Sequence, residues 1–113
     1  MEGKENMSIS IPERDWKYMR KLNPELLEEL CGQINSQTEA ILSDTDISNH
    51  KKFLAVFDHI DVSNNIVAEC FDDWRRSTIF FRLLALQKHN LLKDEHIRNL
   101  SEEVQEKLAL LKQ

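Results

Sequence analysis

Apolar residues in this chain recur every three or four positions, in blocks separated by short polar runs, which is the periodicity of amphipathic helices rather than strands. Pro12, Glu13 and Asp15 open the first block: proline suits the first helical position, and the acids suit the positive end of the helix dipole. Trp16, Met19 and Leu22 form its short apolar face. In "LNPELLEEL" the pattern predicts a stop and a restart, with Asn23 as cap and Pro24 in the new first turn. Leu26, Leu27, Leu30, Cys31, Ile34, Ile41 and Leu42 then fall within an arc of about 160°, interrupted by Gln37 and Thr38. Glu25, Glu28, Glu29, Gln33, Asn35, Ser36 and Glu39 occupy the opposite, solvent side.

"SDTDISN" is rich in side chains that hydrogen-bond locally and compete with helix, so it reads as a loop ending in a cap at Ser48. The next block is expected to turn Phe53, Leu54, Val56, Phe57 and Ile60 inward, with a break or bend at "DVSNN", residues 61–65. Ile66, Val67, Cys70, Phe71 and Trp74 make a further stripe about 140° wide. Beyond Trp74 the apolar arc of Ile79, Phe80, Leu83, Leu84 and Leu86 jumps by roughly 170°. A helix break within residues 75–78, capped by Ser77 or Thr78, explains the jump; one continuous helix buried on both sides in turn is the alternative. "CFDDWRRS" is then a structural elbow, with Asp72 reaching Arg75 or Arg76 and Asp73 reaching Arg76. Arg75, Arg76 and Arg82 form a basic strip beside it that could dock an acidic partner.

Residues 78–89 are apolar nearly all round, as in a helix that is central or shared with a second subunit. Asn90 suits a left-handed helix end, a short helix begins at Asp94, and Ser101 caps a last helix with Glu102 and Glu103 at its positive end and Lys112 at its negative end. Ile97, Leu100, Val104, Leu108 and Leu111 continue as one stripe, the first candidate for a partner surface; closure of the chain's own core is the alternative. The expected fold is all-α, a compact bundle of about five to six helices joined by short polar turns. Residues 1–10 are expected to be a disordered tail and 11–113 a single helical domain.

Composition narrows the function classes. Two glycines among 113 residues leave no glycine-rich phosphate loop, and HExxH, CxxC, GxSxG and EF-hand spacings are absent. The net charge of −5 lies in residues 1–49, with ten acids against five bases, while 50–113 hold ten of each. That balance opposes sequence-independent binding to DNA or an anionic membrane. There is no apolar run of membrane-spanning length and no signal-peptide core in residues 1–10, so the expected compartment is the cytoplasm. Cys31 and Cys70 sit on apolar stripes and read as buried small hydrophobes. "IPERDWKYMRKL" and "AECFDDWRRS" have the general look of a small bacterial protein and carry no family signature.

Three functional readings remain. His59, with Asp58, Asp61, Glu69, Asp72 or Asp73, would make a metal or acid-base site, although Asp58 and His59 project from different faces. His50 is expected at the core edge, and His89 and His96 in solvent. "LLALQKHNLLKDEHIRNL" has the outline of a helix-turn-helix, opposed by Asp94 and Glu95 at the head of the second helix, and an acidic nucleic-acid mimic could be built from Glu25, Glu28, Glu29 and Glu39. The preferred reading is a protein-protein interaction module, an adaptor or regulatory protein self-associating through apolar helix surface as a homodimer or binding another protein. It has no cofactor, no membrane contact and no catalytic motif.

Overall fold

The first helix runs straight through the predicted stop. In the computed structural model, which describes residues 10–111, α1 spans Glu13–Ser43 with Pro24 in its interior. Proline removes one i→i−4 hydrogen bond and crowds the carbonyl one turn back. The helix continues because Met19 and Leu22 before it, and Leu26 and Leu30 after it, are buried on a single face, while the exposed Pro24 lies off that face. The connection over residues 44–48 forms as expected, with the Ser48 hydroxyl accepting the Lys51 backbone N–H at 3.2 Å. From there α2 (Asn49–Phe71) also passes through its predicted break. "DVSNN" contains no Pro or Gly, and residues of this type each cost only a few tenths of a kcal/mol in a helix.

The elbow does break the helix, but at Asp72 and Asp73, before Trp74 and not within residues 75–78 as expected. Asp72 ends α2 with extended backbone, Asp73 takes φ 58°, and α3 (Ile79–Lys88) starts behind Thr78. Three further devices hold the turn. The Trp74 indole N–H donates to the Cys70 carbonyl at 2.8 Å, the Phe71 and Trp74 rings stack at 5.9 Å, and the Thr78 hydroxyl donates to the Asp73 carbonyl at 2.6 Å. At the other end of α3, Asn90 is left-handed with φ 62°, as its sequence position suggests. Leu91 N–H donates to the Leu86 carbonyl at 2.8 Å and Asn90 N–H to that of Gln87 at 3.1 Å, the paired bonds of a Schellman ending.

Two short helices follow, α4 (Asp94–Arg98) and α5 (Glu102–Leu111). His96 is buried, not solvated: its Nδ1 accepts the Lys93 backbone N–H at 2.9 Å, capping α4 from within. Ser101 heads α5, accepting the Val104 N–H on its hydroxyl at 3.4 Å.

One hydrophobic cluster joins Ile11, the first half of α1, Cys70, α3, Leu91, Leu92, Leu100, Val104 and Leu108. Its polar key is Asp15, fully buried in the first turn of α1. The two Asp15 carboxylate oxygens accept the backbone N–H of Ser101 at 2.8 Å and its hydroxyl at 2.7 Å, across 86 residues of sequence. The carboxylate thus lies at the positive ends of two helices at once, which offsets its loss of hydration. Arg14 donating to the Asn99 carbonyl, and Arg76 donating to that of Ile11, tie the same corner.

The all-α class stands, with five helices among the described residues. Its shape is elongated, not compact: the extents are 61 × 27 × 21 Å and the radius of gyration is 17.6 Å, against about 13 Å for a compact chain of this length. The cause is the α1–α2 hairpin, whose distal part projects beyond the cluster. The expected N-terminal tail, apart from Ser10, and Lys112 lie outside the described residues.

Asp15→Ala leaves the Ser101 N–H and hydroxyl without their acceptor inside the fold, and is expected to cost about 2–4 kcal/mol. Ser101→Ala loses the hydroxyl's bonds to Asp15 and from the Val104 N–H but keeps the backbone N–H on the carboxylate, and is expected to cost about half as much. Urea unfolding followed by circular dichroism measures both.

Candidate interaction surface

The sequence places Phe53, Leu54, Val56, Phe57 and Ile60 inward; the structure turns most of them out. Phe53 is 65% exposed, Phe57 63%, Leu54 46% and Ile60 43%, while Val56 is half-buried. On the inward side of α2, polar His59 and Ser63 stand among the half-buried Val56, Ile66 and Val67. His59 Nε2 lies 3.2 Å from the Ile34 carbonyl, the same oxygen that accepts the Thr38 hydroxyl at 2.8 Å, and Ser63 is buried. Cys70, lower down, is the other buried residue of α2. At 100° per residue, Ile60, Phe53 and Phe57 lie within about 60° of one another, roughly a quarter-turn from the His59 and Ser63 side. Leu42, 53% exposed, ends α1 at the same distal end of the hairpin. Periodicity found the stripe but had no means of telling which flank α1 covers.

The C-terminal stripe behaves in the opposite way. Leu100, Val104 and Leu108 are buried in the chain's own cluster and Ile97 packs against it, leaving Leu111 and Leu110 outside. The alternative reading of that stripe is therefore the one the fold adopts, since α5 closes over α1 and α3. Residues 78–89 are likewise central, with Ile79, Phe80, Leu83, Ala85 and Leu86 buried and Phe81 outside.

The arginines of the elbow are committed locally. Both Asp73 oxygens accept from Arg75, at 2.6 and 3.0 Å, and this forked contact holds the Asp73 carboxyl below its usual range. The expected Asp72–Arg75, Asp72–Arg76 and Asp73–Arg76 pairs assumed a helix continuing through Asp73, which its positive φ forbids. Arg76 is used on the Ile11 carbonyl, and Arg82 donates through Nη1 to the Asp72 carbonyl at 3.0 Å. Arg82 Nε is enclosed with no hydrogen-bond partner among the described residues. It borders an open groove of about 420 Å³ formed with Glu69, Phe81, Leu84, Ala85 and Lys88.

The proposed metal ligands do not converge. Glu69 receives His89 Nε2 at 2.9 Å and Lys88 Nζ at 3.2 Å, Asp73 is taken by Arg75, and His59 faces the Ile34 carbonyl. Among the described residues no three His, Cys, Asp or Glu side chains are grouped to hold a metal ion. His50 is exposed rather than at the core edge, and His89 is half-buried against Glu69 rather than free in solvent. Burial pushes the Cys70 thiol up to about 11, which keeps it protonated and unreactive at neutral pH. The second helix of the supposed helix-turn-helix is five residues long, led by exposed Asp94 and Glu95. None of the described helices is long and apolar enough to cross a membrane. No family model, curated protein or solved structure matches the chain.

Two outcomes follow from these placements. Leu108→Asp puts a charge in the closed core and is expected to cost more than about 3 kcal/mol, unfolding the chain rather than separating an assembly; melting curves beside light scattering distinguish the two. The hydrogen bond from His89, with Lys88 beyond it, lowers the Glu69 carboxyl below its ordinary 4.5. A lowered carboxyl contributes stability that is present above about pH 4.5 and lost as pH falls through the folded-state value. Glu69→Gln is therefore expected to lower the melting temperature at pH 7, with the difference from wild type closing toward pH 3.

Proposed function

We propose that this chain is a small cytoplasmic protein-protein interaction module that self-associates through apolar helix surface, as a homodimer. The observation that supports it is the reversed face of α2: polar His59 and Ser63 lie inward, and Phe53, Phe57 and Ile60 lie outward on a projecting hairpin. Isolated apolar residues on a surface are ordinary, but large ones clustered on one helix flank mark contact sites. Aromatic side chains are the favoured anchors of protein interfaces. A hairpin reaching beyond its own core presents such anchors to another molecule without disturbing the bundle that carries them.

The test uses Phe53→Ser with Phe57→Ser. Both positions are mostly exposed, so the monomer is expected to lose no more than about 0.5 kcal/mol per site, while association measured by sedimentation velocity falls by at least tenfold, roughly the effect of removing a hot-spot aromatic. Unchanged association in this variant removes the α2 face from the interface.

A further inference from the structure

We propose that the groove between the first half of α1 and the elbow binds a short acidic segment of another protein, with a proline of that segment seated against Trp16 and Trp74. The groove is open, has a volume of about 280 Å³ and is lined by Trp16, Arg20, Asn23, Pro24 and Trp74. It gathers both tryptophans of the chain, which stand half-buried at the edge of the core. The Trp74 indole N–H is used on the Cys70 carbonyl, whereas that of Trp16 meets no acceptor among the described residues. A proline brings a rigid ring to an aromatic wall with no side-chain entropy to lose, and the carbonyls of an extended proline-containing segment stay free to accept an indole N–H.

Charge selects the rest of the ligand. Residues 14–21 hold four of the five bases of residues 1–49, and the one acid among them, Asp15, is buried on Ser101. Taking Trp16 as the reference direction, Arg20, Lys17 and Lys21 lie at about 40°, 100° and 140°, while the core residues Met19 and Leu26 lie at about 300° and 280°. Trp16 therefore stands between the core and a basic rim. The Arg20 guanidinium lies over the Trp16 ring, 5.9 Å from its centroid, and neither Arg20 nor Lys21 has an ion pair among the described residues. An arginine stacked in this way keeps its in-plane N–H donors free for a carboxylate. Lys17 is held by Glu13 at 3.3 Å, an exposed pair that a second carboxylate replaces at little cost. The elbow arginines offer less, since Arg75 is forked on Asp73, and Arg76 and Arg82 are bonded to backbone carbonyls.

The dimensions favour a peptide over a small molecule or a nucleic acid. A groove smaller than the roughly 300–1,000 Å³ of pockets that enclose small molecules takes one ring and leaves the neighbouring residues of the ligand on the surface. The basic rim is short as well, closed by exposed Glu13 at one end and by exposed Glu25 and Glu28 at the other. A few carboxylates complement it, whereas a nucleic acid needs a cationic track along its phosphates. The site lies on the helical body, clear of the exposed α2 stripe, so it adds a second surface to the self-association reading and does not depend on it.

Because the chain has no tryptophan besides these two, its intrinsic fluorescence reads the groove directly. The probe is a short capped peptide alternating Glu and Pro; its companions carry Lys in place of Glu, or Ala in place of Pro, and a short oligothymidylate represents nucleic acid. The Glu-Pro peptide is expected to shift the emission saturably, and the Lys and Ala versions to bind about tenfold more weakly. Arg20→Glu with Lys21→Glu, both at exposed positions, is expected to lose the Glu-Pro peptide and gain the Lys-Pro one, a reversal that misfolding cannot produce. If that double variant does not melt cooperatively, Arg20→Gln alone replaces it, with binding of the Glu-Pro peptide weakened about tenfold and the melting temperature unchanged. No saturable change with the Glu-Pro peptide up to about 1 mM, equal affinity for the Ala version, or an oligothymidylate bound more tightly than the peptide each overturns the assignment.

Discussion

A carboxylate buried at the meeting point of two helix N-termini holds this fold together. Asp15 has no solvent contact, and its stabilisation comes from the Ser101 N–H, the Ser101 hydroxyl and the positive dipole ends of two helices. Without it, the residue that heads α5 would lose its hydrogen bonds to α1, and the apolar contacts of Val104 and Leu108 would leave the helix angle open. With it, the end of the described chain is fixed to its beginning. Arg14 on Asn99 and Arg76 on Ile11 then fasten the surrounding backbone.

That anchorage is at one end only. From the clasp, α1 continues for 31 residues, about 46 Å, through an internal proline, and α2 returns beside it for 23. The cluster that stabilises the fold uses only the proximal part of this hairpin: the last buried residue of α1 is Leu30, and α2 contributes Cys70 with Ile66, Val67 and Phe71 packed beside it. The distal part is held mainly by α1–α2 contacts such as His59 on the Ile34 carbonyl. The elbow makes the arrangement possible by turning the chain sharply after Phe71, so that α3 enters the cluster instead of following the hairpin outward.

Local signals in the sequence were legible where their cause is local. The Ser48 and Ser101 caps, the left-handed Asn90 and the start of α4 at Asp94 all depend on residues within one turn of each other; the elbow was legible too, although the helix ends at Phe71, a turn before the expected residues 75–78. The stops expected at Pro24 and at "DVSNN" failed because burial on a continuing face outweighed propensity, an effect that only tertiary packing supplies. Which charges pair was illegible for the same reason: Asp73 meets Arg75 only because its backbone is left-handed. Asp15 carried a helix-start signal, but nothing local pointed to a partner 86 residues away. The two apolar stripes read alike because a stripe announces burial without naming what buries it: the core takes up Leu100, Val104 and Leu108 and leaves Phe53 and Phe57 exposed.

The α2 stripe therefore sets a physical problem that the single chain does not solve. A hairpin stable by itself would place Phe53 and Phe57 between its helices and His59 in water, because a buried aromatic contributes far more than a buried imidazole whose hydrogen bond merely replaces one to water. Here the arrangement is reversed, and the His59 bond to a backbone carbonyl fixes the helix rotation that keeps both phenylalanines outside. Turning α2 by roughly a quarter-turn would cover them, but it would also withdraw Cys70 from the cluster and shift the elbow that Trp74 and Thr78 hold in place. The core at one end of α2 thus dictates the exposure at the other.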